Sequence, residues 1–306
     1  MESTVSTIRI AHFSDTHVLS LNGVGPRRFL NKRWTGAVNL ALNRSRHYRV
    51  DIFERLLSAV VDAQPDHSVC TGDLVNLALE PEFVRVSQLL NDAFDSSDLT
   101  VVPGNHDYYV KEAIAARLFE TTFGLFQTRD VVVDEAEPYP VVRLLDDVAI
   151  VGLNSAIPTP VFLANGRIGD AQLDRFSSVM TDEQLGDRFR LMLVHHPLLP
   201  EPKRRLDSAR RLYDAEGLIR TINTLGEHGP DLVVHGHNHE FKRMAVPGCE
   251  TPIIQAASAS RSGRKHRAEF NVYVIEGRTL KSIERYIHQP DSGAFLRCNE
   301  AGDPIG

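Results

Sequence analysis

The chain has 306 residues, 42% of them apolar, with 34 basic against 40 acidic side chains and a formal net charge of −6. That balance excludes a disordered chain and leaves ample length for a sizeable core. No apolar run approaches the roughly 18 residues of a membrane span, the N-terminus lacks the basic start and apolar stretch of a signal peptide, and three distant cysteines (Cys70, Cys249, Cys298) do not make a disulfide framework, so a cytoplasmic protein is expected.

Residues 8–13 read as a strand running into Ser14-Asp15-Thr16-His17. The segment 18–50 that follows carries seven basic residues (Arg27, Arg28, Lys32, Arg33, Arg44, Arg46, Arg49) and no acid, which suggests a local anion-binding surface. Asp51-Ile-Phe-Glu54 has the form of a capping box. It opens a helix with Ile52, Phe53, Leu56, Leu57, Val60 and Val61 on one face, closed by Pro65. Residues 67–71 form a buried strand leading to Gly72-Asp73. Pro81 marks a helix start, continued by Phe83, Val86, Leu89 and Leu90. Residues 99–102 form a strand that ends in Pro103-Gly-Asn-His-Asp107.

The second half repeats the scheme. A strand at 148–154 and a helix at 170–180 precede a strand at 189–194 that ends in His195-His196-Pro197. A further strand at 231–235 ends in Gly236-His-Asn-His239. Residues 252–287 read as two or three strands with a turn at Gly277-Arg278, and the residues after Pro290 as a loosely ordered end. Alternating strands and helices imply a largely parallel, buried sheet. We expect one domain over 1–290, with the basic segment as an insertion and 291–306 as a tail.

Five polar clusters stand at the carboxyl ends of these strands: Asp15/His17, Asp73, Asn105/His106, His195 and His237/His239. That edge is where ligands bind in open α/β sheets. Carboxylates, imidazoles and an amide form a hard-to-borderline donor set that suits manganese, iron or zinc. Seven donors exceed the needs of one ion and fit two ions that share a bridging carboxylate, an arrangement suited to phosphoryl chemistry.

Asp15-Thr-His17, Gly72-Asp73, Gly104-Asn-His-Asp107, His195-His-Pro197 and Gly236-His-Asn-His239, in this order, resemble the motif set of the calcineurin-like metallophosphoesterases. The resemblance implies an α/β fold in which two packed mixed β-sheets are flanked by helices, with two transition-metal ions at the strand ends. It implies that Asp15, His17 and His239 hold one ion, that Asn105, His195 and His237 hold the other, and that Asp73 bridges them. A metal-bridging hydroxide would attack phosphorus, and His106 would contact the phosphate and protonate the leaving oxygen. Asp107 would orient either its loop or His106. Gly72-Asp-Leu-Val-Asn76 is similar to the bacterial cyclic-nucleotide and glycerophosphodiester phosphodiesterase branch, from which the length of the segment 18–50 departs.

The expected substrate is a small anionic phosphate ester, with a lipid-linked nucleotide diphosphate of the UDP-diacylglucosamine type as an alternative; duplex nucleic acid is not expected as a partner, given the net charge. A non-catalytic scaffold is a further alternative. Basic stretches at 203–211 and 261–267 join 18–50 as a candidate cationic rim, with Phe29 and Trp34 as stacking or interfacial groups. The competing reading is a solvated basic insertion paired with acids. His196 reads as a support, a substrate contact or an alternative to His195 as ligand, with His195 preferred. His235 reads as a partly buried structural imidazole at a strand end, and His12, His47, His67, His228, His266 and His288 as structural or surface histidines.

Overall fold

A computed structural model describes residues 6–29, 32–34, 48–160, 163–201, 207–263 and 266–305. In the first sheet, β1 (Thr7–Phe13), β2 (His67–Cys70) and β3 (Leu99–Val101) run parallel. β10 (Glu269–Glu276), β11 (Thr279–His288) and β12 (Phe295–Cys298) extend it antiparallel from the free edge of β1. In the second sheet, β5 (Val148–Gly152), β6 (Phe189–Leu193), β7 (Leu232–His235) and β9 (Pro252–Gln255) run parallel. β4 (Val141–Leu144) and β8 (Lys242–Ala245) close its edges antiparallel.

Side-chain alternation explains the layering. On β1, Ile8 and Ile10 join Val69, Ile150, Leu191, Leu193, Val234 and Tyr273 in a core between the sheets. Ala11 and Phe13, at the alternate positions, point the other way, onto α1 (Val50–Asp62) and α2 (Glu80–Ala93) through Phe53, Leu56, Phe83 and Val86. α3 (Lys111–Ala115) and α4 (Leu118–Phe123) complete that outer layer. The outer face of the second sheet packs on α5 (Asp170–Met180) and α6 (Ala215–Leu225) through Phe176, Val179, Leu218 and Ile222. The result is a helix–sheet–sheet–helix sandwich. The single largely parallel sheet read from local pattern is therefore two mixed sheets, as the resemblance implied. No helix among the described residues is long and apolar enough to cross a membrane.

Two local expectations are corrected. Asp51 does not cap α1: it lies in the first turn, where its carboxylate accepts from Arg49 Nε and Nη2 at 2.9 and 2.6 Å, so the neighbouring guanidinium outcompetes the backbone. At α2 it is Glu82 that reaches back to the helix start: its Oε2 accepts from Leu79 N at 3.0 Å and Leu77 N at 2.9 Å, with no reciprocal side-chain bond because the N-cap residue is a leucine. The residues after Pro290 are not merely a loose end, because β12 pairs with β11 and the Phe295 ring packs against Phe270.

Candidate metal centre

The carboxyl ends of β1, β2, β3, β6 and β7 deliver the motif side chains to one place, spanning both sheets. His239 Nε2 lies 3.1 Å from Asp15 Oδ1 and 3.2 Å from His17 Nε2, and His17 Nε2 lies 3.7 Å from Asp73 Oδ2. His195 Nε2 lies 3.2 Å from Asn105 Oδ1, 3.1 Å from His237 Nδ1 and 3.5 Å from Asp73 Oδ2. Asp73 Oδ2 thus faces both groups. Asp15, His17, Asp73, Asn105, His195, His237 and His239 are all at most 9% exposed.

The donors fit cations on two independent grounds. Atoms ligating one ion at about 2.1 Å stand about 3.0–3.4 Å apart, by the geometry of such bonds, and most of the distances above lie in or near that range. The local backbone is also strained: Asp15, His17, Asp73, His237 and His239 have φ of 56°, 46°, 54°, 73° and 61°. Non-glycine residues enter this region at a cost of order 1–2 kcal/mol each, and such outliers gather at functional sites. Motif glycines permit the crowding. A Cβ on Gly104 would run into Asp73 and His195, and one on Gly236 into Ser14 and Asp15.

Supporting contacts set the tautomers. His195 Nδ1 meets the Thr71 carbonyl at 2.6 Å, so the proton sits there and the Nε2 lone pair faces the donor cluster. His239 Nδ1 meets Tyr48 Oη at 2.8 Å. Asp15 accepts from His237 N at 2.9 Å, and Asp73 Oδ1 from His106 N at 2.7 Å. Burial pushes the Asp73 carboxyl up, but His195, His106 and His17 outweigh it and hold it well below the usual carboxylate range. Burial lowers His195 too, yet Asp73 and Asp15 bring it up to about 9 without a cation, so a metal ion would take the Nε2 lone pair in exchange for a proton. Burial, reinforced by Arg210 and neighbouring imidazoles, keeps His237 far below its ordinary value.

His106 lies at the edge of this cluster. Its Nδ1 meets the Asn76 carbonyl at 2.6 Å, its ring stacks on Tyr109 (centroids 5.3 Å, 9° between planes) and its edge meets His17. Asp107 acts on the loops and not on the His106 ring: Oδ2 accepts from Gly104 N and Asp73 N at 2.8 and 2.9 Å, and Oδ1 from Leu74 N and Val75 N at 2.9 and 3.1 Å. His196 Nδ1 lies 2.8 Å from Ser155 Oγ, while its ring nitrogens are also close to those of His195 and His237. The contacts to Asn105 and Asp73 are made by His195. His235 is buried against the Gly236 carbonyl.

The described parts of the basic segment contact the loops around this centre. Arg33 is buried and donates to the carbonyls of Leu77 and Ala78; Lys32 Nζ donates to Thr159 O and Oγ1 at 2.9 Å and lies 4.5 Å from the Tyr109 ring centroid. Arg28 pairs with Glu80 at the surface, Trp34 is 58% exposed, and Phe29 packs on Leu77 and Leu79. Arg210 Nη2 donates to the His237 carbonyl at 3.4 Å, and Arg261 pairs with Tyr48 in an isolated bridge. Arg44, Arg46, His47, Lys203, Arg204, Arg205, Arg264 and Lys265 lie outside the described residues. Sequence reasoning missed Tyr48, which no motif or periodicity marks. It quoted Asn76 without a role, although its position within the Gly72–Asn76 motif was the available signal.

The family model for calcineurin-like phosphoesterases matches residues 8–241. Among solved structures, the chain is similar to a dimetal phosphatase from Danio rerio (13% identity, 96% of this chain and 99% of that chain, TM-score 0.56). It is also similar to purple acid phosphatase PPD1 from seeds of yellow lupin, Lupinus luteus (12% identity, 99% and 57%, TM-score 0.53), and to a 5′-nucleotidase precursor from Thermus thermophilus (14% identity, 98% and 56%, TM-score 0.51). At these identities the likeness is one of fold, and the chain spans little more than half the length of the last two. No curated protein sequence matches the chain.

Proposed function

The chain belongs to the calcineurin-like phosphoesterase family, and we propose that it hydrolyses a small anionic phosphodiester, or a related phosphate ester or anhydride, at a dinuclear metal centre. Asp15, His17 and His239 would hold one ion, Asn105, His195 and His237 the second, and Asp73 both; the donor types suit manganese, iron or zinc. When bound, such a pair supplies an acidified water and neutralises charge on the phosphoryl oxygens. The observation that carries this reading is the position of Asp73 Oδ2, 3.7 Å from His17 Nε2 and 3.5 Å from His195 Nε2, between two otherwise separate donor groups.

The chain's own residues support the remaining steps. With its Nδ1–H donated to the Asn76 carbonyl, the His106 imidazole has Nε2 as its second proton-carrying position, suited to protonating a leaving oxygen. The Tyr109 stack holds the ring plane. A scaffold role is disfavoured because every donor of the motif set is present with His106. The unpaired cysteines Cys70, Cys249 and Cys298 support a reducing, cytoplasmic setting.

The test is hydrolysis of bis(p-nitrophenyl) phosphate and p-nitrophenyl phosphate by chelator-treated protein with and without Mn²⁺. The expected result is Mn²⁺-dependent turnover that is faster on the diester. His106→Ala should lower kcat by about 10²–10⁴-fold, the range for a lost general acid, while metal content stays at that of the unaltered protein. Failure of Mn²⁺ to elicit hydrolysis of either ester overturns the reading.

A further inference from the structure

We propose that Tyr48, in the last described stretch of the basic segment, is the positioning residue that holds His239 in its metal-binding tautomer. The inference rests on the metal-centre part of the proposed function and adds a residue that no motif of the chain contains.

Tyr48 Oη lies 2.8 Å from His239 Nδ1, and the tyrosine ring meets both imidazoles of that donor group edge-on: His17 at 4.8 Å between centroids and 65°, His239 at 5.7 Å and 90°. A ligating imidazole must present a lone pair. At His239 the nitrogen facing Asp15 and His17 is Nε2, so the proton belongs on Nδ1, and the Tyr48 hydroxyl is placed to accept it. Without that acceptor, the tautomer carrying its proton on Nε2 gains population, and that form cannot bind a cation.

His239 needs the support more than His195 does. His195 Nδ1 donates to a main-chain carbonyl at the sheet edge, Thr71 O, whereas His239 sits in a left-handed backbone conformation with φ of 61°. Tyr48 is itself anchored. Its backbone bridges to Arg261, and Arg49 N donates to Ser260 O at 3.0 Å. The same 258–260 loop holds the first ligand strand, through Ser258 Oγ to Asp15 O and Ala259 N to Ser14 O, both 2.8 Å. At the segment's other described end, Arg33 clamps the Leu77 and Ala78 carbonyls on the loop whose Asn76 orients His106. The two ends thus grip the ligand His239 on one side and the loop behind His106 on the other.

The experiment is Mn²⁺ titration of chelator-treated full-length protein and of Tyr48→Phe, read as bound metal per chain and as site affinity, together with the melting temperature of each metal-free protein. Loss of an outer partner of a ligating histidine commonly weakens metal binding by about 10–100-fold. We expect one of two Mn²⁺ sites to weaken by at least about tenfold on that basis, with the second site and the metal-free melting temperature unchanged. Two unaltered sites in Tyr48→Phe overturn the inference. So does equal weakening of both sites with a lowered metal-free melting temperature, which is the signature of a merely structural tyrosine. Unaltered protein that binds two Mn²⁺ without hydrolysing phosphate esters would defeat the proposed function alone; unaltered protein that binds no Mn²⁺ defeats both.

Discussion

Asp107→Asn tests whether one buried carboxylate holds the metal-binding loops in shape. Each Asp107 oxygen accepts two main-chain N–H groups at 2.8–3.1 Å. Burial and the Asp73 charge push its carboxyl up to about 7, yet only the ionised form can accept four donors without turning a proton against one of them. An amide in its place must point an NH₂ at two of the four, either at Asp73 and Gly104 or at Leu74 and Val75. Two charge-assisted bonds are lost and two buried N–H groups are left without acceptors. At about 1.5–3 kcal/mol for each such bond, the cost is about 3–6 kcal/mol, a large part of the roughly 5–15 kcal/mol that typically holds a domain together. Urea unfolding of metal-free protein at pH 8 should show this loss, and bound Mn²⁺ should fall because either orientation of the amide releases at least one N–H of the 73–75 turn that carries Asp73. An Asp107→Asn protein within about 1 kcal/mol of the parent, on the scale of one ordinary hydrogen bond, and still loaded with two ions would refute the argument.

Two further outcomes follow from burial. His67, packed against Thr100 Oγ1, is lowered to about 4 by burial, helped by Arg143, so the unfolded chain takes up its proton first. Stability is therefore fully present above pH 6.5 and is lost as pH falls toward 4. Between pH 6.5 and 4.5 the share of His67 is about 2 kcal/mol, and in urea unfolding His67→Gln should lose correspondingly less stability than the parent over that interval; identical pH profiles would refute it. Reversal of charge distinguishes the arginines of the basic segment: Arg28→Glu removes a surface pair with Glu80 and should change the melting temperature little. Arg33→Glu should lower it sharply, because it buries a carboxylate against two carbonyls and near Glu82.

The parts of the site that local pattern revealed share one property: each lies within a few residues of a strand end that is itself visible as a short β-branched or apolar run. Asp15, Asp73, Asn105, His195 and His237 follow β1, β2, β3, β6 and β7 in this way, and the structure brings them together. What local pattern does not carry is pairing across long separations. β10 inserts beside β1 with Thr7 opposite Glu276, and nothing near either strand announces the split into two sheets. β8, Lys-Arg-Met-Ala, is an edge strand with alternating half-buried and exposed positions, so it lacks the apolar run that marks a central strand. Asp51 fits a capping box by spacing alone, and a guanidinium two residues away decides otherwise.

Tyr48 belongs to the same class of hidden contact, since 191 residues separate it from His239. Its position changes what the excess of positive charge in 18–50 means. Arg28 and Arg49 are matched by Glu80 and Asp51, Arg33 by carbonyls, and Lys32 is partly withdrawn from solvent over Tyr109, where burial lowers it to about 8. The described cations of the segment are therefore mostly engaged by the protein itself. At its described ends the segment is tied to the loops that carry the motif residues, and an aromatic hydroxyl and one buried arginine, more than the net charge, make those ties.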